Sequence, residues 1–249
     1  MKVCGNTDVG KARMNNEDDY CLACNCHGDW MGIVCDGIGG NMAGEVASRM
    51  ATMAMYEAFH SAPEFEKDYQ VNEWIEKNIQ SINKKIFARQ MMSKKMKGMG
   101  TTIVGVIVAK SGTYVFNVGD SRLYAQYEDG FIQMSEDHSY VAQLVSQGQI
   151  SEEEAKTHPK RNVLTNALGI WPSLQLISIH KMDASYSYLL LCSDGLHGYV
   201  DEQAIEKVLI DENLPIADKV TQMIQLANDA GGYDNCSVII FDNREADHD

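Results

Sequence analysis

The chain has 249 residues, of which 45% are hydrophobic and 22% charged, as in an ordinary globular domain. The net charge of −14 argues against a nucleic-acid partner, because phosphate contacts need clustered Lys and Arg. No apolar run approaches a membrane span and the N-terminus lacks the apolar segment of a signal peptide, so we expect a cytoplasmic protein without a membrane partner. With four prolines and no low-complexity segment, we predict one domain over residues 1–242 and an acidic C-terminal tail at 243–249.

The seven cysteines indicate reduced thiols, because their number is odd and several lie in strand-like runs. One cluster, Cys21, Cys24, Cys26 and His27, also allows a zinc interpretation. A structural zinc site needs a closed set of four ligands, and no second C-x-x-C supplies another half-site. We therefore favour a strand with Cys24 and Cys26 on one face.

The first half of the chain predicts a hairpin, two helices and three more strands. Residues 19–27 and 30–36 are adjacent strands joined at Gly28-Asp29. Apolar residues at helical spacing predict helices over 41–60 and about 69–92. Three strand-like runs follow, and the short turns between them favour antiparallel pairing. They cover 101–109, 113–119 and 122–127.

The second half predicts a polar, loosely helical segment at 137–170 and then regular elements again. The expected strands are 174–182, 186–192 and 235–241, and the expected helices are 201–210 and 215–229. Helices thus come in two pairs with antiparallel strands between them. The economical fold class is α+β, with sheet packed on sheet and helices outside.

Two aspartates follow strongly apolar strands, and a third precedes one. "IVCDGIGG" carries Asp36 and Gly37, "LLLCSDGL" carries Asp194, and "GGYDNCSVIIF" places Asp234 before a strand. Strand ends of stacked sheets lie together at the rim of a core, where close carboxylates repel one another unless a cation joins them. An all-oxygen ligand set favours Mg²⁺ or Mn²⁺. A glycine at position 37 lets a backbone carbonyl approach such a metal.

A further acidic stretch, "ARMNNEDDY", holds Glu17 and Asp18 shortly after Arg13. An arginine beside clustered acids suggests a phosphate clamp next to metals, because guanidinium binds phosphate oxygens in a fork geometry. Asp120 in "VGDSR" has two open interpretations, a hairpin turn or a metal ligand. Each feature is weak alone, and only their joint occurrence supports a metal and phosphate site.

Eight motifs between Gly10 and about Val238 resemble, in order and spacing, the metal-dependent protein serine/threonine phosphatases of the type-2C (PPM) family, bacterial-type branch. They are "GKARMNNED", "VCDGIGGNMAGEVAS", "MGTTIVG", "NVGDSRLY", "SEDHS", "RNVLTNALG", "LLLCSDGL" and "GGYDNCSV". The resemblance implies a four-layer α/β/β/α sandwich of two antiparallel sheets flanked by helix pairs. It also implies hydrolysis of phosphoserine and phosphothreonine in proteins.

The resemblance assigns roles to the strand-end acids. Asp36 would bridge two divalent metals, Mn²⁺ or Mg²⁺, and Gly37 would offer its carbonyl to one of them. Asp194 and Asp234 would complete the ligands of the first metal. With Arg13, these three aspartates are the expected catalytic residues.

The remaining motif residues are expected around the same metals. Glu17 and Asp18 would hold the second metal, directly or through water, with their relative weight left open. Asp120 and Asp194 would form a third, weaker site. Arg13 matches the position that binds the substrate phosphate.

The sequence departs from the family pattern at two positions. Ile38 follows Asp36-Gly37 where many eukaryotic members have a histidine proposed as general acid, and an apolar residue there is usual in the bacterial-type branch. Asn166 in "LTNALG" stands where the family commonly has arginine, which puts a flap–substrate contact from this position in doubt. The flap would cover about 139–166, and His158 is a candidate flap contributor with a structural role as the alternative.

The mechanism we expect is hydrolysis by a water that bridges two metals and attacks phosphorus in line. The ions and Arg13 would stabilise charge in the transition state, and no covalent intermediate is needed. The alternative is a catalytically inactive relative that binds or scaffolds phosphoproteins; a phosphatase of small phosphate esters is also open. The expected partners are phosphorylated proteins, substrates of a serine/threonine kinase, and the default state is a monomer.

Overall fold

The structure, a computed structural model, describes residues 1–39 and 43–244. The strands are β1 (Lys2–Asp8), β2 (Asp19–Cys24), β3 (Trp30–Cys35), β4 (Gly37–Ile38), β5 (Gly100–Thr101), β6 (Ile103–Ala109), β7 (Gly112–Val118), β8 (Arg122–Tyr127), β9 (Gly130–Gln133), β10 (Ser178–Met182), β11 (Tyr188–Cys192) and β12 (Cys236–Asp242). The helices are α1 (Ala43–His60), α2 (Asp68–Met91), α3 (Tyr140–Ser146), α4 (Glu152–Thr157), α5 (Asp194–His197), α6 (Glu202–Leu209) and α7 (Ile216–Asp229), with a 3₁₀ turn at Lys94–Met96.

Ten of the strands form two antiparallel five-stranded sheets, and β4 pairs with β5 beside them. The strand orders are β1-β12-β11-β8-β9 and β10-β7-β6-β3-β2. Alternation along each strand separates the two faces of each sheet. In β3, Val34 packs between the sheets, whereas Ile33 and Cys35 pack towards α1 and α2. In β12, Ile239 faces the other sheet, and its neighbour Ile240 faces the side of α6 and α7.

Three apolar clusters therefore hold four layers together, and the predicted α/β/β/α sandwich is confirmed. The α2 helix matches its predicted range to within one residue at each end, and its buried face carries the isoleucines that predicted it. The α1 helix ends at His60 as predicted; residues 41 and 42 of its predicted range lie outside the described residues. None of the helices in the described ranges is long and apolar enough to cross a membrane.

The sequence was misleading where short turns join strands of different sheets. β6 and β7 pair as predicted, but β7 and β8 belong to different sheets, as do β10 and β11. A short turn keeps two strand ends close without making their backbones pair, and Gly119 at φ +110° turns the chain across the sandwich. The crossing leaves Asp120 at the rim between the sheets.

Two strands had no clear sequence signal. The β1 strand pairs along its length with β12, but none of its residues is fully buried, so it lacks apolar alternation. The short edge strand β9 pairs with β8.

The β10 strand begins at Ser178 and not at 174. At the C-terminus Arg244 still pairs with Asp242 at 2.8 Å, and the rest of the predicted tail lies outside the described residues.

Candidate active site

A cleft of about 560 Å³ opens at the rim where β3 ends, β11 ends and β12 begins. Its acidic lining consists of Glu17, Asp36, Asp120, Asp194 and Asp234. Arg13, Gly37 and Asn166 also line it. The convergence of strand ends expected from the sequence therefore occurs in the structure.

Asp36 lines the cleft and is positioned by hydrogen bonds of its backbone. Its N–H donates to Thr102 Oγ1 at 2.9 Å, and its carbonyl accepts from Thr102 N and Thr101 Oγ1, both at 2.8 Å. The next residue, Gly37, packs so closely that an added Cβ would lie 2.4 Å from the Glu17 carbonyl oxygen. Only glycine fits this contact between β4, the acidic loop and the start of α1.

Asp194 begins the short helix α5 directly after β11. Its Oδ1 atom is buried and has no hydrogen-bond partner within the described part of the chain. The adjacent Gly195 lets this turn approach β12, because a Cβ there would lie 1.8 Å from the Asn235 carbonyl oxygen. An unpartnered buried carboxylate oxygen is costly, so a ligand that supplies positive charge would stabilise it.

Asn235, which sequence reasoning did not single out, holds the loop that carries Arg13 and Glu17. Its Oδ1 accepts from Glu17 N at 2.8 Å, and its Nδ2 donates to the carbonyls of Val9 at 2.9 Å and Asn15 at 3.0 Å. The signal was present as the Asp-Asn pair of "GGYDNCSV", since an amide can accept and donate at once.

Arg13 reaches into the cleft and pairs with Asp234, with Nη2 2.7 Å from Oδ2. The hydrogen bond to Asp234 raises the pKa of the guanidinium. The arginine side chain is about half exposed, at 49%. It is therefore anchored at one carboxylate while remaining accessible to a ligand in the cleft.

Glu17 and Asp18, which the sequence treated together, have different surroundings. Glu17 lines the cleft. Asp18 lies behind it, where its Oδ2 accepts from Ser193 Oγ at 2.6 Å, and Ser193 Oγ in turn accepts from Ser237 N at 2.9 Å. Within this arrangement Glu17 is the residue of the pair that faces a cleft ligand.

The Asp120 turn is fixed from two sides by histidines. His197 of α5 lies with Nε2 3.1 Å from the Asp120 carbonyl oxygen. The Nδ1 atom of His138 accepts from Gly119 N at 3.2 Å, and the backbone N–H of His138 donates to the Gly119 carbonyl at 2.9 Å. Burial lowers the pKa of both imidazoles, which favours the neutral ring that His138 needs in order to accept through Nδ1.

The predicted flap contains α3 and α4 and is closed by a bridge between Ser139 and Leu164. His158 lies at the end of α4, where its ring centroid is 6.0 Å from that of Tyr140 and its Nδ1 accepts from Lys160 N at 3.1 Å. It is not among the described cleft-lining residues. Asn166 does line the cleft, although its amide donates to the Leu176 carbonyl at 2.9 Å.

Burial and mutual repulsion raise the pKa values of the clustered carboxyls. For Asp36 burial is the main cause, followed by the charges of its acidic neighbours, and its pKa lies well above the usual range. Burial also raises the pKa of Asp194 to about 6, of Asp18 to about 7 and of Asp120 to about 8. Such a cluster accumulates negative charge only if cations compensate it.

The chemistry of the cleft fits hard divalent cations. Its lining offers carboxylate oxygens and contains no described thiol or imidazole, which is a donor set for Mg²⁺ or Mn²⁺ and not for zinc. As placed, however, no group of three or more His, Cys, Asp or Glu side chains in residues 1–39 and 43–244 could hold a metal ion. Asp234 is engaged by Arg13 and Asp18 by Ser193, so metal binding requires side-chain rearrangement.

The cysteines lie apart from the cleft lining. Cys24 and Cys26 are exposed beside the β2–β3 turn, whereas Cys35 and Cys192 are buried in strands. Burial raises the pKa of Cys35 well above that of a free thiol and that of Cys192 to about 12. The buried thiols are therefore packing residues, protonated at neutral pH.

Known proteins give the same assignment as the motifs. The family model described as protein phosphatase 2C matches residues 11–234. The serine/threonine phosphatase stp of Listeria innocua is 36% identical over 236 residues, which cover 95% of this chain and 93% of that protein. Protein phosphatase PhpP of Streptococcus pneumoniae is 32% identical over 251 residues, 99% of each chain.

Solved structures share the fold over nearly the whole chain. The serine/threonine phosphatase Stp1 from Staphylococcus aureus has a TM-score of 0.89 and 37% identity, covering 96% of this chain and 93% of that one. The serine/threonine phosphatase PstP/Ppp of Mycobacterium tuberculosis has a TM-score of 0.82 and 29% identity, with 97% of both chains covered. The family resemblance of the motifs is thereby confirmed: the chain belongs to the protein phosphatase 2C (PPM) family, as a bacterial-type member.

Proposed function

We propose that this serine/threonine protein phosphatase hydrolyses phosphoserine and phosphothreonine at the acidic cleft, with Arg13 binding the substrate phosphate. The observation that carries the proposal is the meeting of Asp36, Asp194 and Asp234 at one rim, next to an arginine that remains half exposed. One relative named as a serine/threonine phosphatase and one named as a protein phosphatase match along nearly their whole length, which supports the same reaction here.

Family membership implies dependence on a divalent metal, and we propose Mn²⁺ or Mg²⁺ at two positions. Asp36 would serve both positions and the Gly37 carbonyl one of them, with Asp194 and Asp234 completing one set of ligands and Glu17 contributing to the other. Asp120 and Asp194 would hold a third, weaker ion. When bound, such ions lower the pKa of water towards neutrality and neutralise charge on phosphate oxygens.

The chain's own residues prepare the cleft for a phosphate dianion. Asn235 fixes the loop that carries Arg13 and Glu17, which keeps the guanidinium of Arg13 beside Asp234. Since Arg13 has the charge and the planar fork of donors that a phosphate needs, it would exchange its bond to Asp234 for bonds to substrate. Asp18 would act from behind the cleft, through Ser193, on the turn that carries Asp194.

The side chain at position 38 cannot donate a proton, because it is isoleucine. The leaving hydroxyl of serine or threonine must therefore take its proton from elsewhere in the cleft. Ile38 lines the cleft as an apolar surface, which favours a role in packing against substrate and excluding water.

The inactive-scaffold alternative has no observation in its favour, because every acid that the motifs predicted is present. We propose that the substrates are proteins phosphorylated by a serine/threonine kinase, and that the enzyme is monomeric and cytoplasmic. Small phosphate esters are the competing substrate class.

The experiment is initial-rate hydrolysis of a phosphothreonine peptide and of a nucleoside monophosphate by metal-stripped protein to which Mn²⁺ is returned. We expect peptide turnover that appears with Mn²⁺, exceeds nucleotide turnover, and is lost in Asp36→Asn. Glu76→Gln, an isosteric change on the exposed face of α2, is the matched control and should retain full activity. Peptide turnover that persists in Asp36→Asn would refute the proposed site, and faster nucleotide turnover would refute the substrate class.

A further inference from the structure

One wall of the cleft is uncharged, in contrast to its acidic floor, and it combines apolar side chains with the polar Asn162, Thr165 and Asn166. The wall is formed by Ile38 and by residues 162–171, and the described lining residues in that range carry no charge. Its apolar members include Leu164, Ile170 and Trp171. Trp171 is 62% exposed, an unusual exposure for the largest apolar side chain.

The loop that presents Trp171 is fixed to α2 by amide side chains. Asn83 is fully buried; its Nδ2 donates to the Trp171 carbonyl at 2.9 Å and its Oδ1 accepts from Gly169 N at 2.7 Å. One turn earlier, Gln80 donates to the Leu174 carbonyl at 2.9 Å and accepts from Leu174 N at 3.4 Å. Both ends of the loop are therefore held by the same face of one helix.

The loop also packs closely against α2. Gly169 has φ +85°, and a Cβ there would lie 2.3 Å from Ile86 Cγ2 of α2. Gln90 bonds to the Gly169 carbonyl as well. The fold therefore holds the backbone around Trp171 firmly while leaving its side chain exposed.

The position of the wall relative to Asp36 is set by hydrogen bonds. Leu168 and Thr101 exchange two backbone bonds, of 2.8 and 3.1 Å, and the Thr101 hydroxyl donates to the Asp36 carbonyl at 2.8 Å. An Ile170 side-chain carbon would lie 2.8 Å from a Cβ at Gly100, the neighbour of Thr101. The uncharged wall is thus joined by hydrogen bonds to the part of the cleft that carries Asp36.

We propose that Trp171 is a specificity-determining residue, which packs against an apolar side chain close to the phosphorylated serine or threonine of a protein substrate. This inference rests on the proposed function. An apolar neighbour gains from the wall because both surfaces leave water together. A charged neighbour would lose hydration there without finding a counter-charge in the wall.

The expected preference is about tenfold in kcat/KM, which corresponds to about 1.4 kcal/mol. Burial of about 55 Å² of apolar surface supplies that amount at about 25 cal/mol per Å², a contact that a preorganised indole can make with one leucine. Because the loop is already fixed, little ordering entropy opposes the contact. The preference should appear as a lower KM, because the indole would contact a side chain next to the phosphorylated residue and not the reacting atoms.

The test is steady-state kinetics of the Mn²⁺-loaded enzyme on phosphothreonine peptides with a glycine-serine background. Each peptide carries a single leucine, lysine or glutamate at one position on either side of the phosphothreonine. We expect leucine at one or more positions to raise kcat/KM about tenfold over background. Trp171→Ala should abolish this gain through KM, and Trp171→Phe should retain part of it.

Ile132→Ala is the control, because it removes an exposed apolar side chain on β9, away from the cleft lining. It should keep the leucine preference. A wild-type enzyme that hydrolyses phosphopeptides without a leucine preference, a preference that survives Trp171→Ala, or a lysine preference that depends on Trp171 would each overturn the inference. A wild-type enzyme that hydrolyses none of the peptides would instead overturn the proposed function.

Discussion

Asp194→Asn should stabilise the metal-free protein at neutral and alkaline pH even as it removes activity. The carboxyl of Asp194 has a folded-state pKa of about 6, above the usual aspartate value of 3.8, mainly because of burial. A raised carboxyl pKa means that the folded state holds the proton more tightly than the unfolded state. The stabilising effect of that proton is complete below about pH 4 and is lost as the pH rises to about 6.

The size of the effect follows from the shift. About two pKa units correspond to about 3 kcal/mol in the free energy of unfolding, because one unit is about 1.4 kcal/mol. Asparagine carries no charge, so the free energy of unfolding of the variant should exceed that of the metal-free wild type by up to this amount above about pH 7. Near pH 4 the two free energies should be almost equal. For a chain of this length 3 kcal/mol is roughly 6 to 12 °C in Tm.

The assay is urea unfolding of both proteins in EDTA between about pH 4 and 8, followed by tryptophan fluorescence. Desolvation lowers the pKa values of His138, His180 and His197, so these residues make both proteins more stable as the pH rises. Their contributions cancel in the difference. Saturating Mn²⁺ should reverse the order by stabilising the wild type. A variant that is less stable at every pH, or a difference that does not change with pH, would refute the electrostatic argument.

Three further variants test other parts of the cleft. Arg13→Ala should raise KM for a phosphothreonine peptide by about 10- to 100-fold, since it removes a charged hydrogen-bond donor; an unchanged KM would contradict its role. Gly37→Ala places a Cβ 2.4 Å from the Glu17 carbonyl oxygen. We therefore expect the free energy of unfolding to fall by about 1–3 kcal/mol and the activity to be lost, and an unaltered Tm would count against the packing argument. Asn235→Ala leaves three backbone groups without their partner, and urea unfolding should show a loss of about 3 kcal/mol, whereas a loss below about 0.5 kcal/mol would show that the loop does not depend on it.

The sequence predicted the layers and the convergence of the acids because both follow from simple patterns. Apolar alternation in the strands and helical spacing in α2 specify which faces are buried. Asp36 and Asp194 end apolar strands, and strand ends meet at a rim whatever the detailed order of the sheets. The helix pairs followed from the same spacing and were confirmed.

The sequence did not show to which sheet each strand belongs, nor which residues contact the cleft acids from behind. Nothing in the turn at Gly119 distinguishes a hairpin from a crossing between sheets, yet the crossing is what brings Asp120 to the cleft. Glu17 and Asp18 are adjacent acids, and only the positions of Ser193 and Ser237 show which one turns away. These differences depend on contacts between residues far apart in the chain, which local patterns do not encode.

The most direct test of the central claim is the number of Mn²⁺ ions bound per chain, measured by equilibrium dialysis on wild type, Asp36→Asn and the Glu76→Gln control. The account predicts at least two ions for the wild type and the control, and a loss of binding in Asp36→Asn that parallels its loss of phosphopeptide hydrolysis. If Asp36→Asn bound as many ions as the wild type with the same affinity, the cleft carboxylates would not be the metal site.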